Sequence, residues 1–491
     1  MLGWTAALVL PNLVLAAWWF RGAAPLDVLK TLYSSDQPLV LRAPLAFACI
    51  ALLLALFSQN RTPHSTLLTG RSRGRIATAT LLGLLLVTAF VFGTPFLLSL
   101  WPAMTGGLIV LSATAFGLRL CECPPLSLLR ERFSSPLERL VISTALGLGA
   151  LAVLVFILGS LGLLLPAFWW LLIVALSLQG ASLLRGLLRD LQASAKAFTA
   201  SGQPVAVAAA AFTFAWCATH LFLLWSPPLD YDVLEYHLAA PAQYLRAGRI
   251  TFLHENIYAT FWQNAEMLYL VALTISGEKR VAIAGAHVIL FAAWVLSVCG
   301  VYALARRLLT RKVGDFETPG PAIAALLYAL IPLGSHLVSD FYVEHVQALF
   351  HLCAVLAACA FLQEQRQNNR LRSGWLILAG LLAGFCCGTK YTALLFTLAP
   401  LLLLVPLTCA LRGAAYEALS AAATIGVAAL AVICPWALRN AIASGDPMHP
   451  LGLVMKRRAG APLPQPDHLD HFDIAARAGE RSLNGLIQVL Y

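Results

Sequence analysis

The chain alternates between long apolar runs and short polar connections over most of its length. A helix needs roughly 20 apolar residues to cross a bilayer core of about 30 Å, and the runs have about this length. They predict an all-α polytopic membrane protein with about thirteen transmembrane helices. The predicted spans are residues 2–20, 39–57, 76–98, 103–119, 140–164, 167–184, 204–225, 281–305, 320–334, 345–362, 374–388, 391–410 and 417–438.

Composition supports a bilayer as the solvent of this chain. Hydrophobic residues make up 60% of the sequence and charged residues 11%, whereas roughly a quarter of the residues in a soluble domain are charged. The net charge of +10 is compatible with nucleic-acid binding. However, the basic residues are scattered over short loops instead of lying on one face, so we expect no nucleic-acid partner.

Lysine and arginine residues mark one side of the predicted bundle. The second, fourth and sixth connections carry them, for example Arg73, Arg132 and Arg189, whereas the third and fifth connections carry none. Basic loops stay in the cytoplasm during insertion, so the N-terminus is predicted to be cytoplasmic. The same alternation places the long loop 226–280 and the tail after Arg439 outside. We therefore expect the functional residues on the outer face.

Acidic residues gather where the outer loop begins. Asp232, Glu235 and Tyr236 are spaced to share one face of a short helix at the bilayer surface. Spacing alone favours a structural interpretation, in which Asp232 is an N-cap and Glu235 its capping-box partner. The alternative is catalytic, because a carboxylate at the surface can take a proton from a hydroxyl nucleophile. Asp230 and Asp232 both meet that requirement.

Farther along the outer loop, Glu266 begins the apolar stretch AEMLYLVALTIS. About twelve residues are too few to span the bilayer, so this helix is predicted to lie on the surface or dip into it, with its carboxylate in the headgroup zone. His237 and His254 are candidate metal ligands. Isolated histidines in a polar loop are more often solvent-exposed, which is the interpretation that the spacing favours.

Two cations occur at the predicted outer surface, where basic residues are scarce. Lys390, followed by Tyr391, lies in the turn GTKYT, and Arg439 lies just beyond the last predicted span. Either cation can bind a phosphate, or Lys390 can simply snorkel to the interface. Asp340 and Glu344 lie four residues apart between two spans and share a face if that segment is helical. If these acids and cations come together at the outer face, they form a pocket that suits a reaction on a lipid phosphate and equally suits a gated polar pathway.

Five segments in this order resemble a known family. They are YDVLEYHLAAPAQYLRAGRI from Tyr231, AEMLYL from Ala265, YVEHVQALF from Tyr342, LLAGFCCGTKYTALL from Leu381 and PWALRNAIASGDPMHP from Pro435. Together they resemble the GT-C superfamily of membrane glycosyltransferases, in particular the bacterial family-39-like members, related to protein O-mannosyltransferases and lipid A aminoarabinose transferases. The resemblance covers roughly residues 204–455.

The resemblance implies inverting transfer of a sugar from a polyprenyl-phosphate donor to an acceptor on the outer face of a bacterial inner membrane. It implies that Asp232 is the general base, with Glu235 in place of the second residue of the family's adjacent Asp-Glu pair. A divalent metal such as Mg²⁺ or Mn²⁺, held by Asp232, Glu235 or Glu344, is an open alternative. The candidate substrate-binding residues are Asp230, Tyr236, His237, Glu266, Glu344, Lys390, Tyr391 and Arg439.

The resemblance also divides the chain. Residues 1–203 form an N-terminal membrane region of about six helices without an assigned role, residues 204–455 form the GT-C-like core, and residues 456–491 form an outer tail. Relatives continue with further helices, so the chain is expected to be a fragment or a short member. Two other functions stay open, namely a transporter or flippase and a non-catalytic protein that binds lipid-linked sugar.

Overall fold

The computed structural model describes residues 94–129, 132–200, 203–225, 228, 230–276, 283–309, 318–364 and 373–452. The predicted spans at 2–20 and 39–57, most of the span at 76–98 and the tail 456–491 lie outside these residues. The chain divides between Leu98 and Ser99 into two compact units, and nearly all of the described residues belong to the second.

The described part of the chain is helical and contains no strand. The α-helices, numbered in chain order, are α1 (Thr94–Leu120), α2 (Pro136–Ser160), α3 (Pro166–Ala200), α4 (Pro204–Thr219), α5 (Ala239–Ala247), α6 (Asn264–Ser276), α7 (Ile283–Leu309), α8 (Gly320–Ala329), α9 (Pro332–Ser339), α10 (Glu344–Glu364), α11 (Ser373–Cys387), α12 (Ala399–Leu411) and α13 (Ala415–Ser444). Two π-helical turns, Val233–His237 and Leu394–Leu398, precede α5 and α12.

Seven helices among the described residues are long and apolar enough to cross a membrane, and the pair α8 and α9, bent by 53°, is equivalent to one more. Each span predicted from residue 103 onward coincides with one of these helices or, for 204–225 and 374–388, with the shorter apolar helices α4 and α11. The predicted all-helical fold, with several helices able to span a membrane, is therefore confirmed for the described residues. The total of about thirteen spans stays a prediction.

Small residues allow close packing of the first two described helices. A Cβ atom on Gly117 of α1 would lie 1.8 Å from the carbonyl oxygen of Ser143, and one on Gly147 of α2 would lie 1.7 Å from that of Ala113. Only glycine therefore fits at either position. Close backbone approach of this kind is the usual basis of helix association in a bilayer, where burial of apolar surface supplies no driving force between helices.

A buried ion pair lies at one end of the bundle. Arg307, near the end of α7, donates from Nη2 to Oε1 of Glu138 at the start of α2 over 2.5 Å, and from Nη1 to Gln363 near the end of α10 over 2.9 Å. The candidate residues lie at the opposite end, since Glu344 is the first residue of α10. A helix of 21 residues separates the two ends by about 30 Å.

Candidate functional site

Asp232 lies in a helical turn and does not cap one. Its backbone is α-helical (φ −58°, ψ −39°), and its side chain makes no capping hydrogen bond, so the capping-box interpretation is wrong. The carboxylate instead accepts a hydrogen bond of 3.4 Å from the phenol of Tyr236. The turn is π-helical, with the amide of Leu238 bonded to the carbonyl of Val233 over 3.0 Å. Turns of this type occur frequently at functional sites.

Glu235 lies one residue before Tyr236 in the same turn. Its carbonyl oxygen accepts a hydrogen bond of 2.8 Å from Nδ2 of Asn256, which ties the turn to the rest of the outer loop. Within the described residues its carboxylate bonds to neither Asp232 nor Tyr236. Glu235 thus lies close to the candidate base in sequence, and its hydrogen bond to Asn256 is made by its backbone.

His237 ends the π-helical turn and is buried against α6. Its Nδ1 lies 2.6 Å from Oε1 of Glu266, and each residue is 2% exposed. The prediction of a solvent-exposed His237 is therefore wrong, whereas His254 is exposed as predicted. The placement of α6 at the membrane surface is also wrong, because the residues from Asn264 to Ile275 are all buried inside the protein. The apolar pattern of α6 reflects burial on every side.

The acids around residue 340 lie on two different segments. Asp340 follows the end of α9, Phe341 has a positive φ of 59°, and Glu344 begins α10. The condition for a shared face, one helix through both residues, is therefore not met. Glu344 instead pairs with Lys390, whose Nζ lies 2.5 Å from its Oε1, with side-chain exposures of 42% for the lysine and 29% for the glutamate.

Two tyrosines connect the Asp232 turn with the Lys390 pair. Burial raises the pKa of Tyr236, and the nearby carboxylates of Asp232, Glu266 and Glu344 raise it further. The pKa of Tyr342 is raised to about 12, first by burial and then by its acidic neighbours, which include Asp230, Asp232 and Glu344. Both phenols therefore keep their protons at neutral pH and can donate hydrogen bonds. Hydrogen bonds and electrostatic interactions thus relate seven candidate residues, namely Asp230, Asp232, Tyr236, His237, Glu266, Glu344 and Lys390.

Arg439 and Tyr391 form a second group. Arg439 lies within α13, not beyond it as predicted. Its Nη2 donates to the carbonyl of Thr260 over 2.8 Å, and its guanidinium stacks 4.8 Å from the ring of Trp436. The hydroxyl of Tyr391 donates to the carbonyl of His449 over 2.9 Å. Arg439 thereby links α13 to the outer loop, and Tyr391 links the turn after α11 to the segment after α13. Both residues therefore have a structural role in addition to any role in binding.

Two sets of buried polar atoms near these groups have no hydrogen-bond partner in the described structure. One set is rich in acceptors and consists of His237 Nε2, Glu266 Oε2, Tyr269 Oη and Glu344 Oε2. The other consists of donors, namely Trp262 Nε1, Gln263 Nε2 and Arg439 Nη1. Tyr269, Trp262 and Gln263 were missed by sequence reasoning. For Tyr269 a signal existed, because it follows Glu266 by three residues on one helix.

Asp230, His336 and Asp340 could hold a cation. One ligand atom from each lies within 4.8 Å of the others, and His336 Nδ1 is 2.8 Å from Asp340 Oδ2. Two carboxylates and an imidazole suit Mn²⁺ better than Mg²⁺, which prefers oxygen ligands alone. This group differs from the predicted ligands Asp232, Glu235 and Glu344.

Comparison with known proteins adds no relative: no protein-family model, curated protein or solved structure matches this chain.

Proposed function

We propose that the protein is an inverting membrane glycosyltransferase that moves a sugar from a polyprenyl-phosphate donor to an acceptor hydroxyl at the outer face of the membrane. One observation carries the proposal. Tyr236 and Tyr342 each interact electrostatically with both the half-buried Asp232 and Glu344, the partner of Lys390. A carboxylate base and an ammonium group then lie at one end of a bundle of apolar helices. A lipid phosphate presents its headgroup at that depth.

In this mechanism Asp232 takes the proton of the acceptor hydroxyl while the hydroxyl oxygen attacks the anomeric carbon. The bond from the anomeric carbon to the phosphate oxygen breaks, and its electron pair leaves with the polyprenyl phosphate. The hydrogen bond from Tyr236 orients the Asp232 carboxylate. Lys390 has two ammonium protons beyond the one given to Glu344, and these stabilise the leaving phosphate as a compact point charge.

Arg439 contributes to the same leaving group in the proposal. Three of its contacts are with backbone or amide oxygens, whereas its buried Nη1 has no partner among the described residues. No carboxylate in the described part of the chain neutralises its charge. A guanidinium with a free donor is suited to bind a phosphate oxygen.

A divalent cation at Asp230, His336 and Asp340 would supply positive charge beside the donor phosphate. The two carboxylates and one imidazole of these residues fit Mn²⁺. The proton transfer to Asp232 and the binding by Lys390 follow from the side chains of this chain alone.

The test is sugar transfer from radiolabelled polyprenyl-phosphate sugars by membranes that hold equal amounts of each variant. We expect Asp232→Asn to lower the rate at least about a hundredfold, since general-base catalysis contributes 10²–10⁴. The matched control is Asp190→Asn, an exposed aspartate on α3, which should keep the wild-type rate. Equal rates in both variants would refute Asp232 as the base.

A transporter or flippase is the second candidate, and the bent pair α8 and α9 favours it. Interrupted helices often line the binding sites of transporters. The two functions predict different products in proteoliposomes loaded with labelled donor. A transferase releases polyprenyl phosphate and a new glycoside, whereas a flippase moves intact donor across the bilayer. A protein that only binds the donor would do neither.

A further inference from the structure

We propose that four side chains beneath the Asp232 turn bind the hydroxyl groups of a sugar ring. The four residues, called the inner cluster below, are His237, Glu266, Tyr269 and Glu344. The inference rests on the proposed function and names the part of the site that recognises the donated sugar.

The two ring nitrogens of His237 have different surroundings. Its Nδ1 lies 2.6 Å from Glu266 Oε1, and a carboxylate in that position accepts a hydrogen bond from Nδ1–H. The Nε2 atom is buried and has no partner within the described residues. A hydroxyl group can pair with Nε2 in either protonation state of the ring, because a hydroxyl both donates and accepts hydrogen bonds.

The other three residues present further free atoms around the same place. Glu266 uses Oε1 to bind His237 and Glu344 uses Oε1 to bind Lys390, and within the described residues each leaves its Oε2 buried and unpaired. The hydroxyl of Tyr269, which is 0% exposed, is also unpaired and interacts electrostatically with both carboxylates. Native proteins leave few buried polar groups unpaired, because each such group costs stability. Four in one place indicate that a ligand completes them.

Polarity decides which ligand fits. The two unpaired carboxylate oxygens, Glu266 Oε2 and Glu344 Oε2, accept hydrogen bonds, so the inner cluster attracts donors and repels a phosphate. The hydroxyls of a sugar are donors, and they can also accept from the Tyr269 phenol. Glu344 binds Lys390 with one oxygen and leaves the other for the sugar. A sugar bound there therefore lies directly beside a phosphate bound at Lys390.

The experiment compares two ligands on the purified full-length protein in nanodiscs. One ligand is farnesyl phosphate, and the other is farnesyl phosphate that carries glucose, galactose, mannose or arabinose. The dissociation constant for farnesyl phosphate, divided by that for the glycosylated ligand, measures how much affinity the sugar adds. This quotient is called the sugar ratio below. For the preferred sugar, Tyr269→Phe should lower this ratio about three- to tenfold, the effect of one lost hydrogen bond. Its affinity for farnesyl phosphate alone should not change.

Tyr244→Phe is the matched control. Tyr244 is equally buried, but its hydroxyl donates to Gln263 Oε1 over 2.9 Å. Its removal should lower the melting temperature and leave the sugar ratio unchanged. Tyr269→Phe should do the opposite, because the hydroxyl that it removes has no partner in the described structure. A merely structural Tyr269, for example one bonded to a trapped water, would not move the sugar ratio.

The outcomes separate the two proposals. A wild-type ratio of one for every sugar, or an unchanged ratio in Tyr269→Phe, would overturn the inner cluster as a sugar site while leaving a lipid-phosphate enzyme in place. Failure to bind farnesyl phosphate would count against the proposed function. In that case thermal shifts with millimolar methyl glycosides decide the inference: a shift that Tyr269→Phe abolishes supports it, and no shift refutes it.

Discussion

Lys390 has three ammonium protons, and Glu344 accepts one of them at 2.5 Å. This arrangement lets the lysine remain charged and still bind a second anion. The pair is half-exposed, so the solvent screens it and it contributes little to stability. If Lys390 binds a phosphate as proposed, the Glu344 carboxylate competes with that phosphate for the same charge.

We expect Lys390→Met to weaken the binding of farnesyl phosphate by about tenfold or more, the value of a charged hydrogen bond. Glu344→Gln should strengthen it by about two- to fivefold, because the competing charge is gone. Both effects should shrink in high salt, since this pair is accessible to ions. Isothermal titration measures these affinities, and Lys196→Met, at an exposed lysine of α3, is the control. Equal affinities in all three variants would show that Lys390 does not bind the phosphate.

His449 makes the fold sensitive to acid. Burial lowers its pKa from the ordinary value of 6.5, Asp446 opposes that shift, and Arg439 and His254 add to it. Because the folded protein favours the neutral ring, this contribution to stability is present above pH 6.5 and is lost as the pH falls below that value. The ring is bonded through Nδ1 to Thr260 Oγ1 over 2.9 Å.

The prediction for His449 is a smaller acid effect in His449→Asn, whose amide can still reach Thr260. The wild-type melting temperature should fall from about pH 7.5 to about pH 5, and the fall should be smaller in the variant. The difference between the two proteins isolates His449 from the other buried histidines. Identical pH profiles would mean that the pKa of His449 is the same in the folded and unfolded states, so that this histidine does not contribute to the acid effect.

At the scale of helices, the ion pair of Glu138 and Arg307 joins α2 to α7 and, through Gln363, to α10. The side chains are 0% and 7% exposed. Removing one partner of a buried pair leaves the other charge unpaired, whereas replacing both by apolar residues is often neutral. The pair therefore sets the register of three helices more than it adds to their stability.

Glu138→Ala should lower the free energy of unfolding by about 3–5 kcal/mol, and the double variant Glu138→Leu with Arg307→Met should recover most of the loss. Glu122→Ala is the control, since Glu122 and Arg139 are 3.6 Å apart and 18% exposed. That substitution should cost about 1 kcal/mol or less. Unfolding in mixed micelles measures all three. A double variant as unstable as Glu138→Ala would contradict this account.

The sequence predicted the helices well because each predicted span produces its own signal in local hydropathy. It failed for α6, where an apolar run of 13 residues has the same composition whether it lies on a membrane or inside a protein. It also missed the pairs that join His237 to Glu266 and Glu344 to Lys390. Those partners are 29 and 46 residues apart, and only the tertiary structure brings them together.

At the scale of the whole molecule, the two ends of the bundle differ in chemistry. One end carries the buried pair of Glu138 and Arg307, and the other carries the candidate site. The outside of the helices between them is apolar, as in α12, where Leu403 is 68% and Leu411 is 80% exposed. Such a surface suits contact with lipid, and in a bilayer the two ends of the bundle would face different compartments.

The basic connections predict which end faces the cytoplasm, and native Cys123 can test this. It is exposed in the connection between α1 and α2, on the predicted cytoplasmic side. In a variant with no other cysteine, a membrane-impermeant maleimide should label Cys123 in inverted vesicles and leave it unlabelled in intact cells. A second variant without Cys123 but with Glu255→Cys, at an exposed position of the outer loop, should show the reverse pattern. Labelling of both from the same side would refute the orientation, and with it a candidate site that reaches acceptors outside the cell.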